Sequence, residues 1–428
     1  IQTNFNAGSK PVARIVDGEG VYFILDNGKR VIDGSNTGGP LGHQHPAMVE
    51  ALKKAISLPV VNDGWFWAER EHAARDLIEI AFQGETSWVG GVRFCLSGGE
   101  ANDLALSLSQ AITGRNEIAT RERAYHGMTG LSRNVTVQPH WHGGLSSYHG
   151  GVKPVPQLVP TKVIPAPVGA RYGGKQEKGS IDSDDLAKTL SNTAAVIIDY
   201  TQGGIYYDPD YQNKIAAATQ KAGALWIADE VVTGLGRLGR WFCFQGAESR
   251  PDIVTLGKPL AGGAAAAGAV VLSKRLMEQL KDHSWQTYST FRGHPVTIAA
   301  IRAYLRILVK EGLIEKVAEL ESWMEQQLIE IAKRHPSVTR VDGRGLHWTI
   351  ELEGPDWQTW KSDTAEPPIA SKVALRALEH GALFGTSGEQ TSLFIAPPLT
   401  IEKSELKQLL EALDIGLQVA DEAKERSN

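Results

Sequence analysis

The chain has 428 residues, of which 22% are charged and 42% hydrophobic, and its formal net charge at pH 7 is −5. This composition is typical of a soluble globular protein, and the lack of a basic excess argues against nucleic acid as a partner. The length predicts two or three domains, at about 150 residues per domain.

No segment is apolar over the roughly 20 residues that a membrane-spanning helix needs, so we expect no membrane partner. Residues 1–6 lack the basic and apolar regions of a signal peptide. Cys95 and Cys243 give no disulfide or metal-binding pattern. Together these features predict a cytoplasmic protein with reduced thiols.

Residues 20–33 are typical of a β-hairpin, because two apolar runs flank the turn sequence Asp26-Asn27-Gly28. A helix is predicted from about Pro46. From about residue 92, short apolar runs alternate with glycine turns and helical patterns, which predicts a mostly parallel sheet covered by helices on both faces. The predicted strands are 92–96, 117–120, 194–198, 225–228, 253–256 and 269–272.

Residues 139–192 are rich in Gly, Pro, Ser and His, and we interpret them as a long irregular insertion. Beyond Pro295 the pattern changes to two helices over about 295–311 and 314–335, strands at 345–351 and 393–395, and a final helix over about 402–424. These elements predict a smaller α+β domain at the carboxyl end.

Two of the predicted strands deliver a charged residue to the same edge of the sheet. Asp229 ends the apolar run 225–228, and Lys258 follows the run 253–256 and Gly257. A lysine that can form a Schiff base and an aspartate that can hold a pyridinium nitrogen are what pyridoxal 5′-phosphate (PLP) requires. The alternatives are an Asp229 paired with a structural arginine and a solvated loop lysine at 258.

Two glycine-containing segments could contact such a cofactor. Gly98-Gly99 follows a predicted strand and opens a predicted helix, where free N–H groups can hold a phosphate. Tyr125-His126-Gly127 follows the next strand and could stack an aromatic ring on a cofactor ring. The alternatives are a tight turn at the glycines and ordinary loop packing at Tyr125.

Two other patterns point to different chemistry, and we favour neither. Residues 234–239 match G-x-G-x-x-G, but no helical period follows, as a dinucleotide-binding site would need. His140, His142 and His149 lie in one loop without a carboxylate or cysteine at ligand spacing, so solvated histidines are favoured over a metal site.

Taken in order, these segments resemble the class III, or ω-type, aminotransferases of the fold-type I PLP enzymes, from about Gly20 to the last helix. The stretches that carry the resemblance are residues 41–46, 97–101, 124–127, 229–237, 251–258, 290–295 and 396–399. The resemblance implies a large PLP-binding domain over 46–295. It also implies a small α+β domain that combines an N-terminal segment, 1–45, with 296–428.

The resemblance implies a role for each matching residue. Lys258 would bind PLP as a Schiff base and act as the general acid and base. Asp229 would hold the pyridine nitrogen. The remaining cofactor contacts would come from Gly98 and Gly99 on the phosphate, Tyr125, His126 and Val231 around the ring, and Thr290 on the phosphate of a neighbouring subunit.

That last contact implies a homodimer, with a dimer of dimers as a larger assembly. Trp65 and Trp67 would lie near the substrate entrance, with interface packing as the alternative. Arg292 stands where the family usually has a small residue. It could bind a substrate carboxylate or the cofactor phosphate, or form a surface or interface salt bridge.

The departures from the family pattern concern the phosphate and the substrate. Gly99 stands where Ser or Thr is usual, and Asp199-Tyr200 where Glu-Pro is usual. Many members carry an arginine for the substrate carboxylate at the place of Gly385. We therefore expect that the carboxylate is bound elsewhere or that the preferred substrates lack one.

The function implied is ping-pong amino transfer through Lys258, from an amine or unusual amino acid with a bulky apolar part to a keto acid or other carbonyl acceptor. A PLP-dependent racemase, epimerase or aminomutase on the same scaffold is the alternative, because it would use the same lysine and aspartate.

Overall fold

The computed structural model describes residues 14–138, 145–147, 151–153, 155–167, 170–173, 181–206, 208–357, 367–387 and 390–427. The three histidines considered above as metal ligands, at 140, 142 and 149, lie outside these ranges. Inside them, no helix is long and apolar enough to cross a bilayer. The described ranges also contain no group of three or more His, Cys, Asp or Glu residues arranged to hold a metal ion.

The strands fall into a central sheet and smaller sheets that involve both ends of the chain. In chain order they are β1 (Ile15–Glu19), β2 (Tyr22–Leu25), β3 (Arg30–Asp33), β4 (Val89–Cys95), β5 (Glu117–Arg121), β6 (Leu145–Ser147), β7 (Gly151–Lys153), β8 (Thr161–Ile164), β9 (Thr193–Asp199), β10 (Leu225–Asp229), β11 (Ile253–Leu256), β12 (Gly268–Ser273), β13 (Val338–Arg344), β14 (His347–Leu352), β15 (Ala382–Leu383), β16 (Gly385–Thr386) and β17 (Ser392–Ile395).

The helices cover the central sheet and build most of the carboxyl-terminal region. They are α1 (Pro46–Ala55), α2 (Ala68–Asp76), α3 (Gly98–Thr113), α4 (Gly130–Asn134), α5 (Ser183–Thr189), α6 (Pro209–Ala222), α7 (Lys274–Gln279), α8 (Pro295–Lys310), α9 (Leu313–Arg334), α10 (Ile369–Glu379) and α11 (Lys403–Glu425).

The central sheet has seven strands in the order β4-β12-β11-β10-β9-β5-β8. The pairs from β11 to β8 are parallel, and only β12 runs against its neighbours β11 and β4. Every residue of β9 and β10 is buried, as expected for parallel strands covered on both faces. The predicted mostly parallel α/β sheet is therefore confirmed.

The register of this sheet aligns the ends of its middle strands. Asp229 pairs with Asp199 on β9 and with Thr255 on β11, so β9, β10 and β11 end nearly level. Side chains at and just beyond these positions meet at one edge, where open α/β sheets bind their ligands. The fold thus brings Asp199, Asp229 and Lys258 towards one place.

The two ends of the chain meet in a second layer. β3 pairs in parallel with β15, so residues before 45 and after 380 share one four-stranded sheet. A second sheet, β13-β14-β17-β16, is formed by the carboxyl-terminal region, and α10 packs on α11. The smaller α+β unit built from both chain ends is confirmed, while the exact boundaries at 45 and 295 stay predictions.

Most predicted elements match the structure within a few residues, but two interpretations need correction. Residues 139–192 are not a wholly irregular insertion, because β8 is the edge strand of the central sheet and α5 packs on α6. The strand predicted at 345–351 matches β14, but the pattern missed its partner β13. Gly345 turns the chain between them with a φ of +53°, a conformation that favours glycine.

Candidate active site

Lys258 lies two residues beyond the end of β11 and opens a short 3₁₀ turn, Lys258–Ala261. Gly257, the residue before it, lets this backbone approach α3 closely. A Cβ on Gly257 would lie 2.9 Å from the Cα of Gly98. The start of α3 and the backbone that carries Lys258 therefore pack directly on each other.

Asp229, the last residue of β10, has a relative exposure of only 3%. Its Oδ1 accepts a hydrogen bond from the Val231 N–H at 2.9 Å. Its Oδ2 accepts one from the Asn102 side-chain amide at 2.8 Å and lies 2.7 Å from Nδ1 of His126. The carboxylate is thus oriented by neighbours on α3 and on the loop after β5, as a buried carboxylate needs to be.

The neighbours of Asp229 are themselves fixed. Asn102 also donates to the His126 carbonyl at 2.7 Å and accepts from the Thr255 hydroxyl at 2.6 Å. The other ring nitrogen of His126 lies 2.9 Å from the Thr120 hydroxyl. This network positions the carboxylate, and an imidazole beside a carboxylate is a common orienting pair.

The amino terminus of α3 forms a concave group of backbone amides. Ser97 caps the helix by accepting a hydrogen bond from the Glu100 N–H at 3.1 Å. A Cβ on Gly98 would lie 2.6 Å from Cγ1 of Val231, so only glycine fits there. The N–H groups at the start of a 16-residue helix carry positive partial charge and can hold a phosphate.

These groups surround one cavity of about 140 Å³ at the carboxyl edge of the sheet. Its lining includes Gly98, Gly99, Tyr125, His126, Asp199, Asp229, Val231 and Lys258. A larger cavity of about 770 Å³ opens at the opposite edge, around the first residues of β10, and contains none of this chemistry. The smaller cavity is therefore the candidate site.

A second cavity of about 110 Å³ adjoins the first, because Lys258, Tyr125, Gln202 and Val232 line both. Its other walls carry hydroxyl and amide side chains and two aromatic rings, namely Thr37, Gln138, Thr201, His347, Thr349, Ser387 and Phe394. Burial, with help from nearby positive charges, lowers the pKa of His347 to about 3, so its imidazole is neutral at pH 7. This second cavity is suited to a substrate that approaches Lys258.

Lys258 is reachable by water through the cavities, although protein surrounds its amine closely. Burial lowers the pKa of the Lys258 amine below its ordinary value, and the charges of Asp229 and Asp199 oppose that shift. A lowered pKa favours the neutral amine, which is the form that attacks a carbonyl and accepts a proton.

The residue after Asp229 has a different role. Glu230 is fully buried, and burial raises the pKa of its carboxyl to about 7. Its oxygens accept hydrogen bonds from the Thr233 hydroxyl and from the Phe244 N–H at 2.8 Å, and it does not line the cavity. Glu230 therefore holds the turn after β10, and Asp229 is the carboxylate at the site.

The residues of the first cavity fit PLP. The cavity combines an amine, a buried carboxylate and a helix amino terminus, which match the aldehyde, the pyridinium and the phosphate of that cofactor. Asp199 Oδ2 is buried and receives no hydrogen bond from any described residue, although Arg121 and two backbone N–H groups hold Oδ1. His126 Nε2 lies 3.8 Å from this oxygen, and a polar group inside the cavity would supply the hydrogen bond that it lacks. Fold and site together define a fold-type I PLP enzyme.

Comparison with known proteins specifies the class. Residues 5–416 match the family described as Aminotransferase class-III. The chain is 29% identical over 413 residues to an acetylornithine aminotransferase of Caldanaerobacter subterraneus subsp. tengcongensis, which covers 94% of this chain and 93% of that protein. It is 30% identical over 419 residues to alanine–glyoxylate aminotransferase 2 homolog 2, mitochondrial, of Arabidopsis thaliana, with coverages of 95% and 83%.

The fold is similar to that of an S-selective transaminase from Arthrobacter sp., with a TM-score of 0.91 and 28% sequence identity. The similarity covers 99% of this chain and 96% of that one. The chain therefore belongs to the class-III aminotransferase family. It is a PLP-dependent aminotransferase that uses an amine donor and a keto acceptor, as the predicted family and cofactor imply.

Four predicted site residues do not line either cavity around Lys258. Arg292 is 3% exposed, and its Nη1 donates to Asp63 Oδ2 at 3.0 Å. With Trp65 and Trp67 it lines a separate cavity of about 340 Å³. Thr290 is exposed. Their roles towards substrate or towards a neighbouring subunit stay predictions, and in this chain Arg292 is engaged by a buried carboxylate.

Gly385 has no room for the arginine that many relatives carry. A Cβ there would lie 2.7 Å from Cε2 of Phe394 and 3.3 Å from Cβ of Ser35. Phe394 lines the second cavity, so the space for a cation at this place is filled by an aromatic ring. Any carboxylate of a substrate must be held by another part of the site.

The sequence alone did not reveal several residues of the site. Asn102 lies one turn inside α3, and the network through Thr255 and His126 depends on contacts between separate elements. Gln202 and His347 are brought to Lys258 from different parts of the chain. The one available signal was Asp199, which ends an apolar strand just as Asp229 does.

We expect Gly99→Ser to strengthen PLP binding about tenfold, because a hydroxyl at the start of α3 adds a charge-assisted hydrogen bond to the phosphate. A Cβ on Gly99 meets its nearest atom, Cα of Gly127, at 3.6 Å, an ordinary contact. The measurement is the dissociation constant of PLP from the apoprotein. The matched control, Gly98→Ser, should weaken binding because its Cβ meets Val231. An unchanged constant in Gly99→Ser would place the phosphate elsewhere.

Proposed function

We propose that this enzyme transfers an amino group from a primary amine or unusual amino acid with a bulky apolar part to a keto acid, in two half-reactions at one site. The observation that carries the proposal is the placement of Lys258 where the two cavities meet. One cavity suits the cofactor and the other the substrate, so each substrate in turn would meet the same amine.

Each residue around the cofactor cavity would have its own role in this reaction. PLP, when bound, supplies an electron sink that stabilises negative charge beside the amine carbon of the substrate. Lys258 would move the proton at the amine carbon of the substrate, because its lowered pKa favours the neutral amine. Asp229 would hold the pyridine nitrogen, and His126 and Asn102 orient Asp229.

Three further groups position the cofactor. Gly98 and Gly99 would hold the phosphate with the amides at the start of α3. Val231 and Tyr125 would flank the ring. Tyr125 is suited to stacking rather than to proton transfer, since burial and the charge of Asp229 raise the pKa of its hydroxyl.

The substrate preference rests on the second cavity and on the aromatic entrance. Gly385 offers no cation, and the described walls beyond Lys258 are neutral hydroxyl, amide and aromatic groups. Trp65 is 70% exposed and Phe66 98% exposed, so in the homodimer proposed below they would present apolar surface to a bulky amine at the site of the neighbouring subunit. The S-selective relative from Arthrobacter sp. suggests the same stereochemical preference here.

We expect the holoenzyme to be converted to its amino form in a single turnover by arylalkyl amines faster than by small α-amino acids. The visible spectrum of the bound cofactor reports the conversion, and chromatography identifies the carbonyl product. Both enantiomers of 1-phenylethylamine and of alanine form the panel. If no amine changes the spectrum, the proposed donor class is wrong. If a substrate loses optical activity without releasing a carbonyl product, the enzyme is a racemase.

A homodimer is the proposed active unit. Trp65, Phe66 and Phe291 are exposed aromatic residues, and Thr290 is exposed beside the last of them. Such a surface is typical of a protein–protein interface. Sedimentation of the holoenzyme should give twice the chain mass or a dimer of dimers, and a monomer that is fully active would contradict the proposal.

The proposed compartment is the cytoplasm. Cys95 and Cys243 are both free thiols in this chain, as is usual in a reducing compartment. Fractionation of the source cells tests this, and recovery of the protein outside the cytoplasmic fraction would contradict it.

A further inference from the structure

His347, the first residue of β14, lines the second cavity together with Lys258 and is 6% exposed. Its ring nitrogen Nδ1 lies 2.7 Å from the Tyr206 hydroxyl. The other ring nitrogen, Nε2, has no hydrogen-bond partner among the described residues, and the protein does not seal it off completely. Because buried polar groups are normally hydrogen-bonded, a partner for Nε2 has to come from the cavity.

Two aromatic neighbours fix the plane of the His347 ring. Phe394, which also lines the cavity, stacks on it with ring centroids 6.5 Å apart and an angle of 14° between the planes. The Tyr206 ring meets it edge to face, with centroids 5.7 Å apart and an angle of 62°. Both are favourable arrangements for aromatic pairs. Nε2 is therefore held in one direction, as a binding group needs to be.

Tyr206 connects His347 to Thr349, the next residue on the same face of β14. The Tyr206 oxygen lies 3.1 Å from Oγ1 of Thr349, which also lines the cavity. Burial raises the pKa of Tyr206, so its hydroxyl keeps one proton.

The direction in which Tyr206 donates this proton decides the role of Nε2. When Tyr206 donates to Nδ1, Nε2 carries the proton of the neutral ring and is a donor. When Tyr206 donates to Thr349, Nδ1 donates to Tyr206 and Nε2 is an acceptor. His347 can therefore present either a donor or an acceptor to the cavity.

His347 presents this nitrogen without a charge. Burial and the charges of Arg237 and Lys258 lower the pKa of His347 to about 3, so its ring is neutral at pH 7. A neutral group that can donate or accept complements a hydroxyl, which also does both. It lacks the positive charge that a buried carboxylate needs.

The second cavity limits the size of the group that reaches His347. Its volume is about 110 Å³, and Phe394 forms part of its wall. Because Lys258 and His347 line the same small space, a group bound to Nε2 has to be compact and close to the carbon at which Lys258 would move a proton. The bulky apolar part of a donor has to extend in another direction.

We propose that His347 and Thr349 form a hydroxyl-binding subsite, and that the preferred donor is a vicinal amino alcohol with an apolar arm. The hydroxyl forms a hydrogen bond with Nε2 of His347, and the amine on the adjacent carbon is the group that is transferred. Tyr206 is a positioning residue that orients the ring of His347. The inference deepens the proposed function and rests on it for the reaction, whereas the subsite itself can be tested by binding alone.

The test compares two donors that differ by one hydroxyl, 2-amino-2-phenylethanol and 1-phenylethylamine, with the same spatial arrangement at the amine carbon. In the wild-type holoenzyme, kcat/KM should be about 10- to 100-fold higher for the amino alcohol, because the other amine leaves a buried polar group unpaired. His347→Phe keeps an aromatic ring beside Phe394 but has no ring nitrogen. In this variant the ratio of the two values should fall to about one.

Three further variants separate hydrogen bonding from packing. His347→Gln restores a side chain that donates and accepts, so it should keep the ratio within about threefold of the wild-type value. Tyr206→Phe removes the partner of Nδ1 and should lower the ratio about two- to tenfold. Tyr304→Phe is the matched control, because its buried hydroxyl donates to the Leu235 carbonyl at 2.9 Å and Tyr304 lines neither cavity. It should leave the ratio unchanged.

A binding measurement separates this inference from the proposed function. 2-Phenylethanol, which has no amine to transfer, should bind to the wild-type holoenzyme in calorimetry and bind about tenfold or more weakly to His347→Phe. If the wild-type enzyme converts neither donor, the proposed function fails while 2-phenylethanol still tests the subsite.

Several results would overturn the proposal and leave His347 as a structural link between Tyr206 and Phe394. They are a wild-type ratio near one, a ratio that His347→Phe leaves unchanged, a loss in His347→Gln equal to that in His347→Phe, and 2-phenylethanol binding that is absent or unaffected by His347→Phe. The wild-type ratio requires no variant, so it decides the matter even if His347→Phe does not fold.

Discussion

Replacing Lys258 with alanine should lower kcat for amino transfer by about 10⁴-fold or more, since in the proposed function one side chain would supply both the covalent attachment of PLP and the proton transfer. The position explains the size of the effect. Lys258 lies where both cavities meet, and no other lysine among the described residues lines either of them. No neighbouring amine can take its place.

The measurement is the rate of a single turnover with the best donor, together with the visible spectrum before and after dialysis. The variant should lose its bound chromophore on dialysis, whereas the wild-type protein should keep it. Lys274→Ala is the matched control, because Lys274 is exposed at the start of α7 and its amine binds only the Thr86 carbonyl among the described contacts. A Lys258→Ala protein that retains both colour and turnover would exclude this lysine as the catalytic residue.

Local patterns in the sequence were sufficient to predict the part of the site that lies on strand ends. Asp229 and Lys258 each follow an apolar run, and parallel strands bring such ends to one edge. Gly98 follows the strand β4 in the same way and begins the helix α3. These predictions depend only on neighbours in the chain and on the known geometry of an α/β sheet, so periodicity could reveal them.

Other parts of the site depend on contacts that periodicity cannot encode. Asn102 reaches Asp229 because α3 packs across β10 and β11, and nothing in the helical pattern distinguishes Asn102 from a surface residue. His347 belongs to a hairpin more than a hundred residues from Asp229, and its first strand, β13, was missed. Thr290 and Trp65 were predicted as site residues only from the resemblance to the family. Within one chain, neither residue lines the cavities around Lys258.

Arg292 illustrates a charge whose role the sequence leaves open between a substrate contact and a salt bridge. It replaces a small residue close to the site, so it was an obvious candidate for binding a carboxylate. In the fold, Arg292 Nη1 lies 3.0 Å from Asp63 Oδ2, and both side chains are buried. Removing a buried arginine from such a pair would leave an uncompensated charge, so loss of activity in an Arg292 variant would not by itself identify a substrate contact.

Replacing Asp229 with asparagine should lower kcat about 10³-fold. At an effective dielectric constant near 20, opposite charges about 4 Å apart attract by roughly 4 kcal/mol, and each 1.36 kcal/mol is a tenfold change in rate. An amide supplies no negative charge, so the pyridine nitrogen would no longer be kept protonated at neutral pH. The hydrogen bond from the Val231 N–H can still be accepted by the asparagine oxygen.

The dependence of kcat on pH distinguishes this electrostatic role from a structural one. In Asp229→Asn the pKa of the pyridine nitrogen should fall, so kcat should rise as the pH is lowered through the range where the wild-type rate is flat. Asn102→Ala is the matched control: it removes one hydrogen bond to Asp229 but keeps the carboxylate, so it should cost about tenfold or less and leave the pH profile unchanged. If Asp229→Asn and Asn102→Ala have equal losses and the same flat profile, the charge of Asp229 contributes nothing, and its role is to hold the fold of the cavity wall.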